Sequence, residues 1–370
     1  MSALGVGLLA LLVYTYAGYP LVVAMWARIA PCRVRPRPSY EPTVSVCISV
    51  HNGAAYLPDK LRSLQALDYP PHKLEFLLYS DGSTDDTERV AADLAVSEPR
   101  LRLLRGEARH GKPTGLNRLY AAAVGEVLLM TDVRQPLTPR ALRALLAPLS
   151  DPRVGCVSGT LMLSGGTGPG AYWRYEKFIR VAEGQLGRMV GVSGSLYAIR
   201  RADFRELPHD VLLDDMYVPL STVSERKRVV LARDAEAYDQ AYADDREFGR
   251  KVRTLAGNYQ LLSKLPWLLL PFRNPVWFEL VSHKLLRLVC PFALIGLLPI
   301  SISLVNPELS SLARAFWLFV LVGQLAGYAL AAAGSHAGKP GTLARTFVVL
   351  NAAAVMGLWR FLTKTQSVAW

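Results

Sequence analysis

The run Leu74-Glu75-Phe76-Leu77-Leu78-Tyr79 passes directly into Ser80-Asp81-Gly82-Ser83-Thr84-Asp85-Asp86-Thr87. An apolar run of that length, closed by a glycine turn, reads as a buried strand followed by a helix. A carboxylate at the turn then stands at the carboxyl edge of a sheet, where open α/β proteins meet their ligands. Ser83-x-x-Asp86 fits a capping box, and the helix dipole favours Asp85, Asp86 and Glu88, so those acids are assigned to the helix. Asp81 comes before the cap, where helix stability asks for no acid. It is the candidate ligand group.

Outward from this stretch the pattern repeats. Strands are expected at Thr43 to Val50, Leu101 to Leu104, Glu126 to Met130, Val154 to Leu163 and Gly194 to Ile199, with helices at Tyr56 to Leu67, Asp85 to Ala95, Gly115 to Ala123 and Tyr172 to Val190. Alternation of this kind means a helix-flanked, parallel sheet. The glycine-rich segment Ser164 to Gly170 marks a break.

The ends of the chain differ from its middle. No charged residue occurs from Met1 to Ala27, and Leu8 to Trp26 is long enough to cross a bilayer. Three further apolar stretches lie at about Leu285 to Val305, Leu312 to Ala333 and Leu343 to Trp359. The 370 residues, 51% of them hydrophobic, therefore divide into an N-terminal transmembrane helix (1–27), a basic proline-rich linker (28–42), an α/β domain (43–263), an interfacial amphipathic segment (264–284) and a C-terminal membrane region with about three spans (285–370). Arg28, Arg33, Arg35 and Arg37 crowd behind the first span, which places the α/β domain on the cytoplasmic side of an inner or plasma membrane by the positive-inside rule. Four full spans would then put the C-terminus outside, whereas Arg360 and Lys364 favour the inside. A net charge of +12 suits an anionic membrane surface or anionic substrates, and with these spans it argues against nucleic acid. The four cysteines have no paired spacing, so neither zinc nor a disulfide framework is expected.

One rival motif needs weighing. Gly106-Glu107-Ala108-Arg109-His110-Gly111-Lys112 has the spacing of a phosphate loop, but Pro113 follows where such a loop needs Ser or Thr for magnesium. A membrane nucleotide hydrolase is therefore the weaker reading. Lys112 instead reads as a cation for a diphosphate, or as a solvated lysine.

Val46-Cys47-Ile48-Ser49-Val50-His51-Asn52-Gly53, Ser80 to Asp85, His110-Gly111-Lys112 with Leu116-Asn117, Thr131-Asp132 and Leu213-Asp214-Asp215 together resemble, in order, the family 2 inverting glycosyltransferases of GT-A fold. The flanking spans resemble the membrane-bound branch that builds polysaccharides and glycolipids. The resemblance implies a mixed, Rossmann-like sheet flanked by helices, with transmembrane helices at both ends. It implies donor-binding roles for His51, Asn52, Asp81, Lys112, Asp132, Arg250 and Arg253. Asp215 would be the catalytic base, and Ser193, Gly194 and Asp214 would line the sugar and acceptor pocket. The implied partners are a nucleotide diphosphate sugar, a lipid-linked or polysaccharide acceptor, and membrane lipid.

Two departures limit the carry-over. The family usually has Asp-x-Asp, whereas Asp132-Val133-Arg134 places an arginine where the second metal acid belongs. A divalent metal, Mg or Mn, is then held by Asp132 with less help, or Arg134 stands in for its charge. Arg250-x-x-Arg253-Thr254 also lacks the glutamine and tryptophan of the processive synthases, which favours transfer of one or a few sugars. The altered acid motif leaves a catalytically inactive nucleotide-sugar binding subunit as the alternative.

Overall fold

A computed structural model of the chain describes residues 1–37, 39–164, 170–240 and 244–368. The apolar runs form seven strands: β1 (Val44–Val50), β2 (Leu74–Asp81), β3 (Leu101–Gly106), β4 (Val127–Thr131), β5 (Val154–Ser164), β6 (Leu196–Arg200) and β7 (Arg228–Gln240). They make one sheet in the order β3-β2-β1-β4-β6-β5-β7. Strands β3, β2, β1 and β4 are mutually parallel, and β6 runs antiparallel to both β4 and β5. The sheet is thus mixed, as the family resemblance implied, rather than parallel throughout as strand and helix alternation alone predicts.

Every residue of β1 and β4 is buried, as expected for strands covered by helices on both faces. The first helices are α1 (Ser2–Val13) and α2 (Tyr19–Ile29), joined by a π-helical turn. Those of the α/β domain are α3 (Leu57–Gln65), α4 (Thr87–Ser97), α5 (Lys112–Ala122), α6 (Ala141–Leu149), α7 (Ala171–Leu186), α8 (Asp214–Ser224) and α9 (Asp244–Lys264). The glycine-rich break predicted before α7 falls mostly outside the described residues.

The topology brings the polar loops to one edge. Moving from β1 to β2 and from β1 to β4 takes the chain in opposite directions across the sheet, so a crevice opens at the carboxyl ends of these strands. Asn52 follows β1, Asp81 ends β2 and Asp132 follows β4, so all three lie at that edge. Because β6 is antiparallel to β4, with Thr131 opposite Leu196, its start carries the loop Ser193-Gly194-Ser195 to the same edge.

Several expected boundaries shift for local reasons. Ser83 does not cap a helix: α4 begins at Thr87, whose N–H donates to Asp85 Oδ1 at 3.0 Å. The Ser83 hydroxyl instead accepts the Asn52 N–H at 3.1 Å. The proline at the second position of α5 suits a helix start, so Lys112 lies on the first turn and not on a loop. Strand β7 and helix α6 were not expected, since Arg228 to Gln240 carries charges along its length.

The apolar ends pack as helices. A short turn α10 (Trp277–Glu279) and a π-helical segment lead into α11 (Leu286–Leu304), followed by α12 (Ser311–Ala333) and α13 (Gly338–Leu362). Among the described residues, three helical stretches are long and apolar enough to cross a membrane: Ser2–Ile29, Trp277–Leu304 and Ser311–Leu362. Leu12, Cys290, Leu297 and Trp317 form their shared core. The linker between α2 and β1 is held to the domain at Arg37, whose N–H donates to Ser150 Oγ at 2.7 Å. All four cysteines are unpaired, and Cys47, Cys156 and Cys290 are buried.

Candidate active site

The site is built around a part-buried lysine. The Lys112 ammonium donates to Asp132 Oδ1 at 2.8 Å and lies 3.4 Å from Asp214 Oδ2 and 3.5 Å from the Gly194 carbonyl oxygen. Burial alone would push the Lys112 pKa down, but the carboxylates of Asp132 and Asp214 outweigh it and hold the ammonium charged. Asp214 Oδ2 is itself buried and has no hydrogen bond, so it answers the lysine by charge alone.

Asp215 sits on the other side of this group. A Cβ built on Gly194 would stand 3.6 Å from Asp215 Cβ and 3.6 Å from Lys112 Nζ. Gly194 is therefore the floor between the Asp215 carboxyl and the Lys112 cation. Burial, reinforced by the neighbouring Asp214 charge, raises the Asp215 pKa to about 6, while Lys112 and Arg180 oppose the rise. The Val192 N–H donates to the Asp215 backbone carbonyl at 2.8 Å, which fixes this floor to the start of α8. An alanine Cβ at Gly194 would meet only ordinary contacts, but the branches of valine would enter the space between Asp215 and Lys112. Gly194→Val is expected to keep the fold and melting temperature while lowering kcat/KM at least about tenfold, since small misplacements at a reacting centre are costly. Steady-state kinetics beside a thermal melt checks this.

Asp81 does different work. It is fully buried, and its two oxygens accept the backbone N–H groups of His110 and Gly111, each at 2.8 Å. The amides that would cradle a phosphate in a phosphate loop are thus engaged by Asp81, which is the physical reason the Gly106 to Lys112 spacing does not make one. Gly82 (φ 59°) and Gly111 (φ 89°) take the left-handed backbone this loop requires, and a Cβ on Gly82 would collide with the backbone of Ala108 and Arg109 at 2.7 Å. Asn52, also left-handed at φ 53°, accepts the Thr84 N–H at 2.8 Å and clasps the turn after β2. His51 Nδ1 lies 2.9 Å from the Asp81 carbonyl oxygen. A cleft of about 440 Å³ opens beside this turn, lined by Gly82, Thr84, Arg105 and Glu107 among others.

On α9 the two arginines separate. Arg253 is part-buried, and its guanidinium feels the charges of Asp214 and Asp215, although burial is the larger influence and lowers its pKa. It donates to the Val368 carbonyl at 3.3 Å, and the Val368 side chain lies against Gly111. Arg250, one turn earlier, is exposed. Arg134 does not turn toward Lys112's acids in place of a metal: its guanidinium pairs with Asp239 on β7, whose other oxygen accepts from Gln135 at 2.7 Å. Ser193 serves the loop itself, its hydroxyl 2.8 Å from that of Ser195.

Sequence reasoning missed Lys60. Its ammonium is buried, donates to Thr131 Oγ1 and the Gln135 carbonyl, each at 2.7 Å, and is pushed down to about 7 by burial against the opposing pull of Asp132. The signal was present, because Leu57, Lys60, Leu61 and Leu64 form one buried helical stripe with a lysine in it.

No three His, Cys, Asp or Glu side chains come together as a metal site among the described residues. Asp132, with one oxygen on Lys112, and the unbonded Asp214 Oδ2 are nevertheless oxygen donors of the kind hard cations take, with a substrate's phosphates completing the shell.

Residues 45–207 match the model of the family described as glycosyl transferase family 2. Over these residues the chain is similar to the family 2 glycosyltransferases. Among solved structures, the mannosyltransferase PcManGT from Pyrobaculum calidifontis, in complex with GDP-Man and Mn2+, matches 98% of this chain and all of that one, with a TM-score of 0.76 and 24% identity. That likeness shows the GT-A fold. An uncharacterized Mycobacterium tuberculosis protein is 33% identical over 115 residues, 31% of this chain and 35% of that protein. A beta-monoglucosyldiacylglycerol synthase from a Nostoc species is 28% identical over 118 residues, 31% of this chain. The matches span 35% and 25% of the length of these two curated relatives.

Proposed function

We propose that the protein is a membrane-anchored inverting glycosyltransferase that moves a sugar from a nucleotide diphosphate sugar to a lipid-linked or polysaccharide acceptor. The observation that carries this reading is Asp215, a carboxyl raised to about 6, facing the Gly194 floor with the Lys112 cation opposite. A general base works best with a pKa near the working pH, and this one is ionised at neutral pH yet basic enough to accept a proton. It takes the proton of the acceptor hydroxyl as that oxygen attacks the anomeric carbon from the face opposite the nucleotide. The bond to the diphosphate oxygen breaks in the same step, so the anomeric centre inverts and no covalent enzyme intermediate forms.

The leaving diphosphate gathers negative charge, which Lys112 and Arg253 would meet, with Arg250 at the exposed rim. Donor entry then exchanges the Val368 carbonyl on Arg253 for phosphate oxygen. A divalent cation, held by Asp132 together with the donor's phosphates, would supply further charge neutralisation there. Asp81, by holding His110 and Gly111, shapes the donor loop and fixes where Lys112 begins α5, while His51 and Asn52 hold the adjoining turn around the nucleoside cleft.

The contact of Val368 with Arg253 and Gly111 also supports a chain end on the same side as the catalytic domain, as Arg360 and Lys364 favour. That requires an even number of crossings after α9. Helix α13, where a Cβ on Gly357 would stand 2.9 Å from the Ala256 backbone nitrogen, lies along α9 and need not cross. An inner or plasma membrane enzyme with its catalytic domain in the cytoplasm fits this arrangement.

The test is a screen of nucleotide sugars against the purified full-length protein in detergent, with and without chelator, reading nucleoside diphosphate release. Release from one donor is expected. Hydrolysis of ATP with no release from any nucleotide sugar would overturn the reading in favour of a nucleotide hydrolase, and binding without release would favour an inactive binding subunit.

A further inference from the structure

Between the catalytic domain and the apolar helices runs a seam of charge. Glu176, Arg180 and Glu183 recur at helical spacing and share one face of α7. Facing them, His283 places Nδ1 2.7 Å from Glu183 and Nε2 3.2 Å from Glu176. Tyr19, from the first apolar segment, donates to Glu183 at 2.7 Å, and Arg287 pairs with Glu176. The two carboxylates are therefore fully engaged.

Two cations of the seam are not matched in this way. Arg180 donates to a neutral group, Ser158 Oγ, at 3.2 Å. Lys284 lies 4.0 Å from Glu176, a carboxylate already shared with His283 and Arg287, and its side chain is 23% exposed. Arg180 thus meets a hydroxyl and Lys284 stands at the outer limit of an ion pair, while Glu176 and Glu183 are taken up by His283, Tyr19 and Arg287.

Position gives these charges a purpose. The Ser158 hydroxyl that Arg180 touches also accepts the N–H of Ser193 at 2.9 Å, next to the Gly194 floor. Lys284 stands just before α11 begins at Leu286, and α7 packs against α2 through Ile179, Ala182 and Leu186. Both positive charges favour the ionised form of the Asp215 carboxyl. The pair therefore lies beside the catalytic base and on elements that join the apolar helices, whereas Lys112 and Arg253 serve the donor side.

We propose that Arg180 and Lys284 form an acceptor subsite for the phosphate of a lipid, so that the acceptor is an anionic, phosphate-bearing lipid whose hydroxyl is delivered to Asp215. This rests on the glycosyltransferase reading and narrows its acceptor. Guanidinium and ammonium groups are matched to phosphate oxygens, and a neutral glycolipid or a polysaccharide end offers them only weaker, uncharged acceptors.

The experiment uses full-length protein in neutral detergent and compares phosphate-bearing lipids that carry a free hydroxyl with diacylglycerol and glucosyl-diacylglycerol. Binding is read by native mass spectrometry, and transfer is read with whichever donor releases its nucleotide in the screen. Wild-type protein is expected to bind and glycosylate the phosphate-bearing lipids preferentially. Arg180→Gln and Lys284→Gln are each expected to weaken acceptor binding at least about tenfold, the effect of losing a charge-assisted hydrogen bond. Donor affinity should stay within about twofold, and Arg180→Lys should recover part of the loss. Inorganic phosphate at millimolar concentration should compete only weakly, which separates a lipid subsite from a site for the free ion. Equal binding of neutral and phosphate-bearing lipids, or equal losses of donor and acceptor affinity in the glutamine variants, would overturn the proposal. Because lipid binding is read without turnover, a failure of the donor screen would count against the enzyme reading and leave this test decisive.

Discussion

Asp215→Asn is expected to lower the rate of sugar transfer by about 100-fold to 10,000-fold, the range that a positioned general base contributes. Asparagine keeps the shape of the side chain and its place beside Gly194, so donor affinity should change little; isothermal titration with the donor checks that. In the wild type, with the base titrating at about 6, kcat should fall roughly tenfold per pH unit below that value, because the protonated carboxyl cannot accept a proton. Stability should move the other way. A carboxyl whose pKa is raised on folding favours the folded state below its unfolded value and loses that contribution as pH rises through about 6. The asparagine variant lacks this titration, so it should melt above the wild type at pH 7.5, and the difference should shrink toward pH 4. Loss of transfer together with a lower melting temperature at every pH would mean that Asp215 is structural.

Lys112→Met is expected to have the second largest effect, and on two properties at once. The lysine holds Asp132 at 2.8 Å and Asp214 at 3.4 Å, and its charge opposes the rise of the Asp215 pKa. Methionine fills similar space but leaves three carboxylates facing one another. Removing one member of a buried charge pair typically costs about 3 to 5 kcal/mol, and the melting temperature should fall accordingly. The base should also titrate higher, which shifts the acid limb of the rate profile above its wild-type midpoint. Lys112→Arg, which restores charge with a different shape, should return stability more fully than turnover. A pH profile that stays in place in the methionine variant would separate Lys112 from the base.

How far the sequence could be read depends on how each residue is tied to its neighbours. Asp81 and Asp132 each close a buried strand, so their position at the sheet edge follows from the apolar run before them. The function of Asp81 was less legible, because its partners are the backbone amides of His110 and Gly111, 29 and 30 residues away, and backbone donors leave no mark in composition. The loop at Gly194 and the carboxyl of Asp215 lie on irregular chain and at a helix start, where periodicity is silent. Only the order of the motifs pointed to them, and β6, reversed against β4, is what brings the Gly194 loop to the lysine.

Arg134 misled for a related reason. Next to Asp132 it reads as a substitute charge at the diphosphate, but its carboxylate partner is Asp239, on a strand that charge patterning had hidden. Lys60 and the α7 seam were hidden by the habit of placing charges on wet faces. A lysine within a leucine stripe, and Glu176, Arg180 and Glu183 on one helical face, mark buried polar groups once the period is followed. Their partners, such as His283 at 100 residues from Glu183, are fixed only by the tertiary fold.

The most direct test of the central claim is the configuration of the product. With the donor identified by nucleoside diphosphate release, proton NMR of the first product formed from an α-linked nucleotide sugar should show a β-anomeric linkage, the outcome of one in-line displacement assisted by Asp215. An α-linked product would contradict the mechanism, since a single in-line displacement cannot retain the configuration of the donor.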